Sequence, residues 1–295
     1  MVFGWLSRLS GGRRGKPQLI LSATLYGLGL VTCAAGQAEI IELSTDKPKQ
    51  GQTVELFVPG ELPTAVSTEA EFNGQNYKLF PTDSVRQPAG YQTLIAIPAD
   101  LEPGPALVKC GAAARRLVVV SGKFPTQKIT LPKAKDNFEA SAGEKEAIER
   151  AKSTLSAKRM WSTRFLPPSR ARVSAVFGLK RIVNGKLLDD YFHSGLDYAA
   201  ALGSPVSASA PGRVVLAASG FRLHGNTVAI DHGQGVVSFY IHLQKLMVKP
   251  GQTVKAGEVI GRVGQTGRAS GPHLHFSLYV NQVATNPGDW FNRVF

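Results

Sequence analysis

Cysteine is nearly absent from this chain, with two residues in 295, Cys33 and Cys110. If Cys33 belongs to a removed leader, no internal disulfide can form, and Cys110 reads as a small buried hydrophobe. Histidine is scarce and one-sided: all six copies fall after residue 190, none near Cys110. A cysteine–histidine nucleophile built around Cys110 is therefore not expected. The basic residues are scattered rather than clustered, and no nucleic-acid-binding module is visible, so nucleic acid is not an expected partner. Charged residues make up only 19% and hydrophobic residues 43%, a balance that excludes wholesale disorder. The length allows more than one domain.

The first segment is set aside before any fold argument. Arg8, Arg13, Arg14 and Lys16 form a basic start without an acidic residue, and no charge appears from Pro17 to Ala38. Leu19–Val31 is largely apolar and ends in the small residues Ala34, Ala35, Gly36 and Ala38. That order reads as an export signal over residues 1–38. An uncleaved membrane anchor and lipidation at Cys33 are the alternatives, although Ser22, Thr24, Gly27 and Gly29 weaken the run as a span of ~20 apolar residues. Each version places the body of the protein outside the cytoplasm, in the periplasm or cell envelope. The net charge of +13 is uneven, with 13 basic against 6 acidic residues in 165–295. A basic carboxy-terminal region suits an acidic target or surface.

Residues 39–128 read as short strands separated by turns. Gln52–Val58, Ala70–Phe72, Tyr77–Phe80, Tyr91–Ile97, Ala106–Cys110 and Leu117–Val120 are rich in β-branched and aromatic residues, with turn signals such as Asn73-Gly74 between them. The spacing predicts an antiparallel sandwich without a catalytic constellation. Residues 129–164 read as a helical linker. Gly143–Arg159 is the expected helix, with Ser141 as N-cap and Glu144 completing a capping box. Pro167 and Pro168 then mark a boundary. Residues 165–295 return to strands and glycine-punctuated turns, predicting an all-β domain.

Chemistry concentrates in that last domain. In His273-Leu274-His275 the spacing of two puts both rings on one face of a strand, ~6.6 Å apart. In His193-Ser194-Gly195-Leu196-Asp197 a fully extended chain would separate the first and last α-carbons by ~13 Å, so a shared ion requires a bend near Ser194-Gly195. Two histidines and a carboxylate supply three ligands and leave a fourth position for water, the arrangement of a catalytic zinc site. A leftover neutral imidazole beside such a site is suited to take a proton. The chain lacks His-Glu-x-x-His, and after Asp197 its only carboxylates are Asp231, Glu258 and Asp289. Histidine is the better base.

Phe177-Gly178, His193-Ser-Gly-Leu-Asp197, Gly225-Asn226, Asp231-His232-Gly233, Tyr240-Ile-His242-Leu243, Gly251-Gln-x-Val254-x-x-Gly257 and Gly271-Pro-His273-Leu-His275-Phe276 occur in this order. The series resembles the lysostaphin/LytM-type zinc endopeptidases, which cut peptide bridges of bacterial peptidoglycan, over about residues 165–291. The resemblance implies a mainly β chain with a C-terminal antiparallel LytM-type peptidase domain. It also implies Zn2+ on His193, Asp197 and His275, His273 as general base, and His242 as the group that stabilises the oxyanion. Asn226 and Tyr240 are candidate substrate contacts; turn and core roles are the alternatives. His232 reads as a hydrogen-bonded turn residue, His224 as a loop residue, and Lys180-Arg181 as either a substrate-carboxylate contact or a solvated pair. The expected function is hydrolysis of peptidoglycan cross-links, with D-Ala–diaminopimelate bonds favoured over Gly-Gly bridges. A non-catalytic wall-binding or amidase-activating protein is the alternative. One further expectation is that the amino-terminal module folds over the groove and restrains the peptidase.

Overall fold

The structure is a computed structural model describing residues 41–60, 68–82, 89–129, 139–187 and 192–295. The expected leader at 1–38 and residues 130–138 of the expected linker lie outside the described residues. Among the described residues no helix is long and apolar enough to cross a membrane.

The amino-terminal module is a pair of four-stranded antiparallel sheets. One orders Glu42–Leu43, Thr53–Pro59, Gly90–Ala96 and Phe80–Pro81; the other orders Gln75–Lys78, Glu69–Phe72, Gly104–Cys110 and Ala113–Val119. Leu56, Phe72, Tyr77, Ile95, Val108 and Leu117 close the space between them. Cys110 is buried in the same core, where burial pushes its thiol up. Strands Gly104–Cys110 and Ala113–Val119 alternate buried and exposed positions towards their ends, as a half-solvated sheet requires. Strands Thr53–Pro59 and Gly90–Ala96 are buried on both faces over most of their length. Their outer face is covered by the carboxy-terminal domain: Leu94 and Ala96 join Trp161, Phe165, Leu278, Val280, Trp290 and Phe295 in one apolar cluster. Buried polar bonds follow the same seam, with Thr53 Oγ1 2.7 Å from Thr285 Oγ1 and Trp290 Nε1 donating to Thr53 Oγ1 at 3.3 Å.

The carboxy-terminal domain is a ten-stranded antiparallel sheet. Its path runs Val173–Ala175, Gly195–Tyr198, Leu274–Val280, Val236–Leu246, Gly225–Gly233, Gly212–Phe221 and Thr253–Val254, with Val259–Val263 pairing onto Val236–Leu246. Val206, Ile230, Tyr240, Leu243, Ile260 and Phe276 belong to its core. A separate three-stranded sheet joins Lys186–Leu187, Lys180–Val183 and Thr126–Ile129, the last in parallel.

The helix between the two parts is shorter than its composition predicts, Glu144–Lys152 rather than Gly143–Arg159. Ser153 Oγ and Thr154 Oγ1 both turn back to the Arg150 carbonyl, competing with further helical bonds. Beyond them the backbone is used as cover: Ser156 O accepts from Gln234 N–H, and Met160 N–H donates to His232 O. The N-cap also differs. Gly143, at φ 73°, starts the helix without a side-chain cap, and Glu144 turns inward. The helix lies on the sheet, where Ile148 and Ala151 pack with Val237, Phe239, Ile241 and Tyr279.

Candidate metal centre

Two neighbouring strands carry the centre. In the antiparallel pair Gly195–Tyr198 and Leu274–Val280, Asp197 lies directly opposite His275. Alternation sends Leu196, Tyr198, Leu274 and Phe276 to the core on the other face. The close approach of these strands needs Gly195, because an added Cβ would sit 2.0 Å from the Phe276 carbonyl oxygen. The strand begins at Gly195, so His193 precedes it and is free to turn back, which meets the bend that the spacing demands. His193 N–H donates to Leu179 O, and its Nδ1–H donates to Val176 O at 2.8 Å. Those bonds fix the tautomer and leave the Nε2 lone pair facing inward.

His193 Nε2, Asp197 Oδ1 and His275 Nδ1 form a buried triangle with edges of 3.0, 3.0 and 2.8 Å. Burial opposes charge on Asp197, yet the adjoining imidazoles of His193 and His275 outweigh it and hold the carboxyl well below its usual range. Burial pushes His275 down to about 3 against the pull of Asp197. A buried carboxylate converging with two imidazole nitrogens is a donor set for a metal ion. The other carboxylate oxygen, Oδ2, faces the Arg181 guanidinium at 3.4 Å.

His242 and His273 border the triangle. Their ring centroids are 4.8 Å apart, and His273 Nε2 is 4.0 Å from Asp197 Oδ1. His273 Nδ1–H donates to Gly271 O and His242 Nδ1–H to Thr266 O, so the neutral form of either ring carries its bare nitrogen at Nε2. Burial, and then the nearby imidazoles of His273 and His275, push His242 well down and keep it neutral. His242 has a left-handed backbone at φ 65°, uncommon outside glycine, and its N–H donates to His224 O.

The remaining candidates separate. Tyr240 is fully buried on the core face, the core alternative, and its hydroxyl accepts from Ser209 N–H. Asn226 fastens backbone, with Oδ1 accepting from Gly220 N–H and Nδ2 donating to Gln244 O. His232 is buried between Pro211 O and Ser238 Oγ, each at 2.8 Å, which is a structural role. Arg181 is turned to Asp197 rather than to solvent, while Lys180 Nζ lies over the Phe192 ring. Two neighbours of the site stand outside the sequence motifs: Arg181, beside a ligand, and Thr266, which holds the His242 ring. Glu144 accepts from Ser141 N–H as the capping box expects, but it also reaches the backbone of residues 222–224, which the sequence does not signal. Charge next to Phe177-Gly178 was a faint signal for Arg181; Thr266 gave none.

Residues 191–287 match the family model described as Peptidase family M23. The peptidoglycan DD-endopeptidase ShyC of Vibrio cholerae is 42% identical over 118 residues, 39% of this chain and 26% of the relative. The DD-carboxypeptidase/endopeptidase Mpg of Neisseria meningitidis is 43% identical over 117 residues, again 39% of this chain and 26% of the relative. The match thus covers about a quarter of the length of these relatives. A crystal structure described as a peptidase M23 from Pseudomonas aeruginosa superposes with a TM-score of 0.58 at 26% identity, covering 84% of this chain and 96% of that one. That superposition extends beyond the catalytic-type domain, so the two-part architecture is shared.

Proposed function

With residues 191–287 forming an M23 peptidase domain, we propose that this protein is an exported zinc endopeptidase that hydrolyses peptide cross-links of peptidoglycan. The observation that carries the reading is the triangle of His193 Nε2, Asp197 Oδ1 and His275 Nδ1, bordered by two further imidazoles with bare Nε2 atoms. A tetrahedral ion with bonds of ~2.0–2.1 Å needs ligand atoms ~3.3 Å apart, close to the edges present here. Three protein ligands leave a position open, as catalysis requires. The two relatives are named as a peptidoglycan DD-endopeptidase and a DD-carboxypeptidase/endopeptidase, which favours D-Ala–diaminopimelate cross-links over Gly-Gly bridges.

His193, Asp197 and His275 would hold the ion, which supplies Lewis-acid chemistry by acidifying water and polarising the scissile carbonyl. His273 Nε2 takes the proton of the attacking water, its ring already oriented by Gly271 O. Water adds to the carbonyl carbon, the C–N bond breaks, and the proton passes from the imidazole to the leaving amine. His242 can donate from Nε2 to an oxyanion only once protonated, because Thr266 O occupies its Nδ1–H. The histidine pair therefore carries protons as well as orientation. Export and an envelope location rest on the basic-then-apolar start of the chain and on the nature of the substrate. Incubation of the protein with peptidoglycan, followed by mass spectrometry of released muropeptides, tests both activity and bond.

A further inference from the structure

Glu144 is a fully buried carboxylate that the proposed chemistry does not use. Its Oε2 accepts from Ser141 N–H at 2.8 Å, Ser141 Oγ at 2.7 Å and Arg222 N–H at 2.9 Å. Its Oε1 accepts from Leu223 N–H at 3.0 Å, His224 N–H at 2.9 Å and His224 Nδ1 at 2.7 Å. Burial disfavours its charge, but the bonds from His224 and Ser141 outweigh burial and hold the carboxyl far below the usual range. Three consecutive backbone N–H groups converging on one anion form a nest, which only an acceptor on both oxygens can fill.

The carbonyl side of the same loop faces the active centre. His224 O accepts the His242 N–H at 2.9 Å, and Leu223 O accepts the Arg268 N–H at 3.0 Å. Arg268 closes the segment whose Thr266 O holds the His242 ring at Nδ1. Gly225 brings that segment close, since an added Cβ there would lie 2.4 Å from Thr266 Oγ1. Both hydrogen bonds that fix His242 thus lead back to residues 222–224, whose N–H groups end on Glu144. A histidine held at φ 65° is strained and persists only where its surroundings impose it.

We propose that Glu144 is the positioning residue for His242: by clamping the N–H side of Arg222–His224, it sets the carbonyl that keeps His242 in its left-handed conformation. The carboxylate, rather than the remainder of the helix Glu144–Lys152, is then the support of the site. The proposal rests on the function proposed above for His242, but its structural half can be read without activity.

The test uses the full chain with Glu144→Gln, Glu144→Asp and Ala151→Gly. Gln places an amide N–H against N–H donors, Asp is too short to reach them all, and Ala151→Gly weakens the same helix without touching the carboxylate. Amide exchange at His242, zinc affinity by chelator competition, and kcat and KM on peptidoglycan are measured for each. Glu144→Gln should speed His242 exchange by about tenfold or more and lower kcat by about a hundredfold, leaving KM and zinc affinity within about twofold. Glu144→Asp should fall between it and wild type, and it decides the matter if Glu144→Gln does not fold. Ala151→Gly should lower the melting temperature while retaining His242 protection and kcat. Unchanged His242 exchange in both Glu144 variants, or the same losses in Ala151→Gly, would overturn the proposal. Should wild type release no new amine ends, the peptidase reading falls, and the exchange data alone decide the role of Glu144.

Discussion

His242 and His273 face each other with ring centroids 4.8 Å apart, and each is pinned through Nδ1 to a backbone carbonyl, of Thr266 and Gly271 respectively. The pair arises from different parts of the fold. His242 follows Ile241, the residue opposite His275, whereas His273 enters the next strand two residues before His275. Neither ring belongs to the donor triangle.

That separation predicts a clean split between binding and turnover. His273→Ala should retain stoichiometric zinc by metal analysis and lose roughly 10²–10⁴-fold in turnover, the usual contribution of a general base. His275→Ala should lose both. Wild-type turnover in His273→Ala would remove that residue from its role.

His232 predicts an acid-sensitive step in stability. Burial pushes its imidazole down to about 4, from an ordinary value near 6.5, despite the bond to Pro211 O. As pH falls below about 6.5 the unfolded chain takes up the proton first, so stability declines until about pH 4 and then levels. The loss is on the order of 3 kcal/mol. Urea midpoints from pH 8 to pH 4 should fall more steeply for wild type than for His232→Gln; parallel slopes would contradict this.

Removal of the amino-terminal module should destabilise the peptidase rather than release it. Leu94 and Ala96 cover Trp161, Phe165 and Trp290, and Thr53 bonds to both Thr285 and Trp290. A chain starting near Leu166 loses Trp161 and Phe165 along with the module and bares Trp290; a large aromatic fully bared loses roughly 4 kcal/mol at ~25 cal/mol per Å2. It also lacks Glu144. Such a chain should melt at a markedly lower temperature and be less active than residues 39–295. Higher activity at equal stability would instead support the expectation that the module restrains the groove.

Short-range chemistry was legible in the sequence, whereas packing between distant segments was not. His-x-His on a strand and the bend before Asp197 follow from spacing alone, because strand geometry is local. Tyr240 was ambiguous because a strand aromatic looks the same from either face, and only the register with Phe276 assigns it to the core. Glu144 was half legible. Ser-x-x-Glu is a local capping signal, and the carboxylate does accept from Ser141 N–H, but its further partners lie 78 to 80 residues away. The double burial of Gly90–Ala96 shows the same limit, as Leu94 and Ala96 are covered by residues beyond 160.

The most direct test of the central claim is the release of amine ends from purified peptidoglycan by residues 39–295, with and without chelator, and with His275→Ala as control. The account predicts new diaminopimelate amine ends from zinc-loaded wild type, none after chelation, recovery on adding zinc back, and none from His275→Ala. Release that persists in chelator and in His275→Ala, or no release from zinc-loaded wild type, would contradict it.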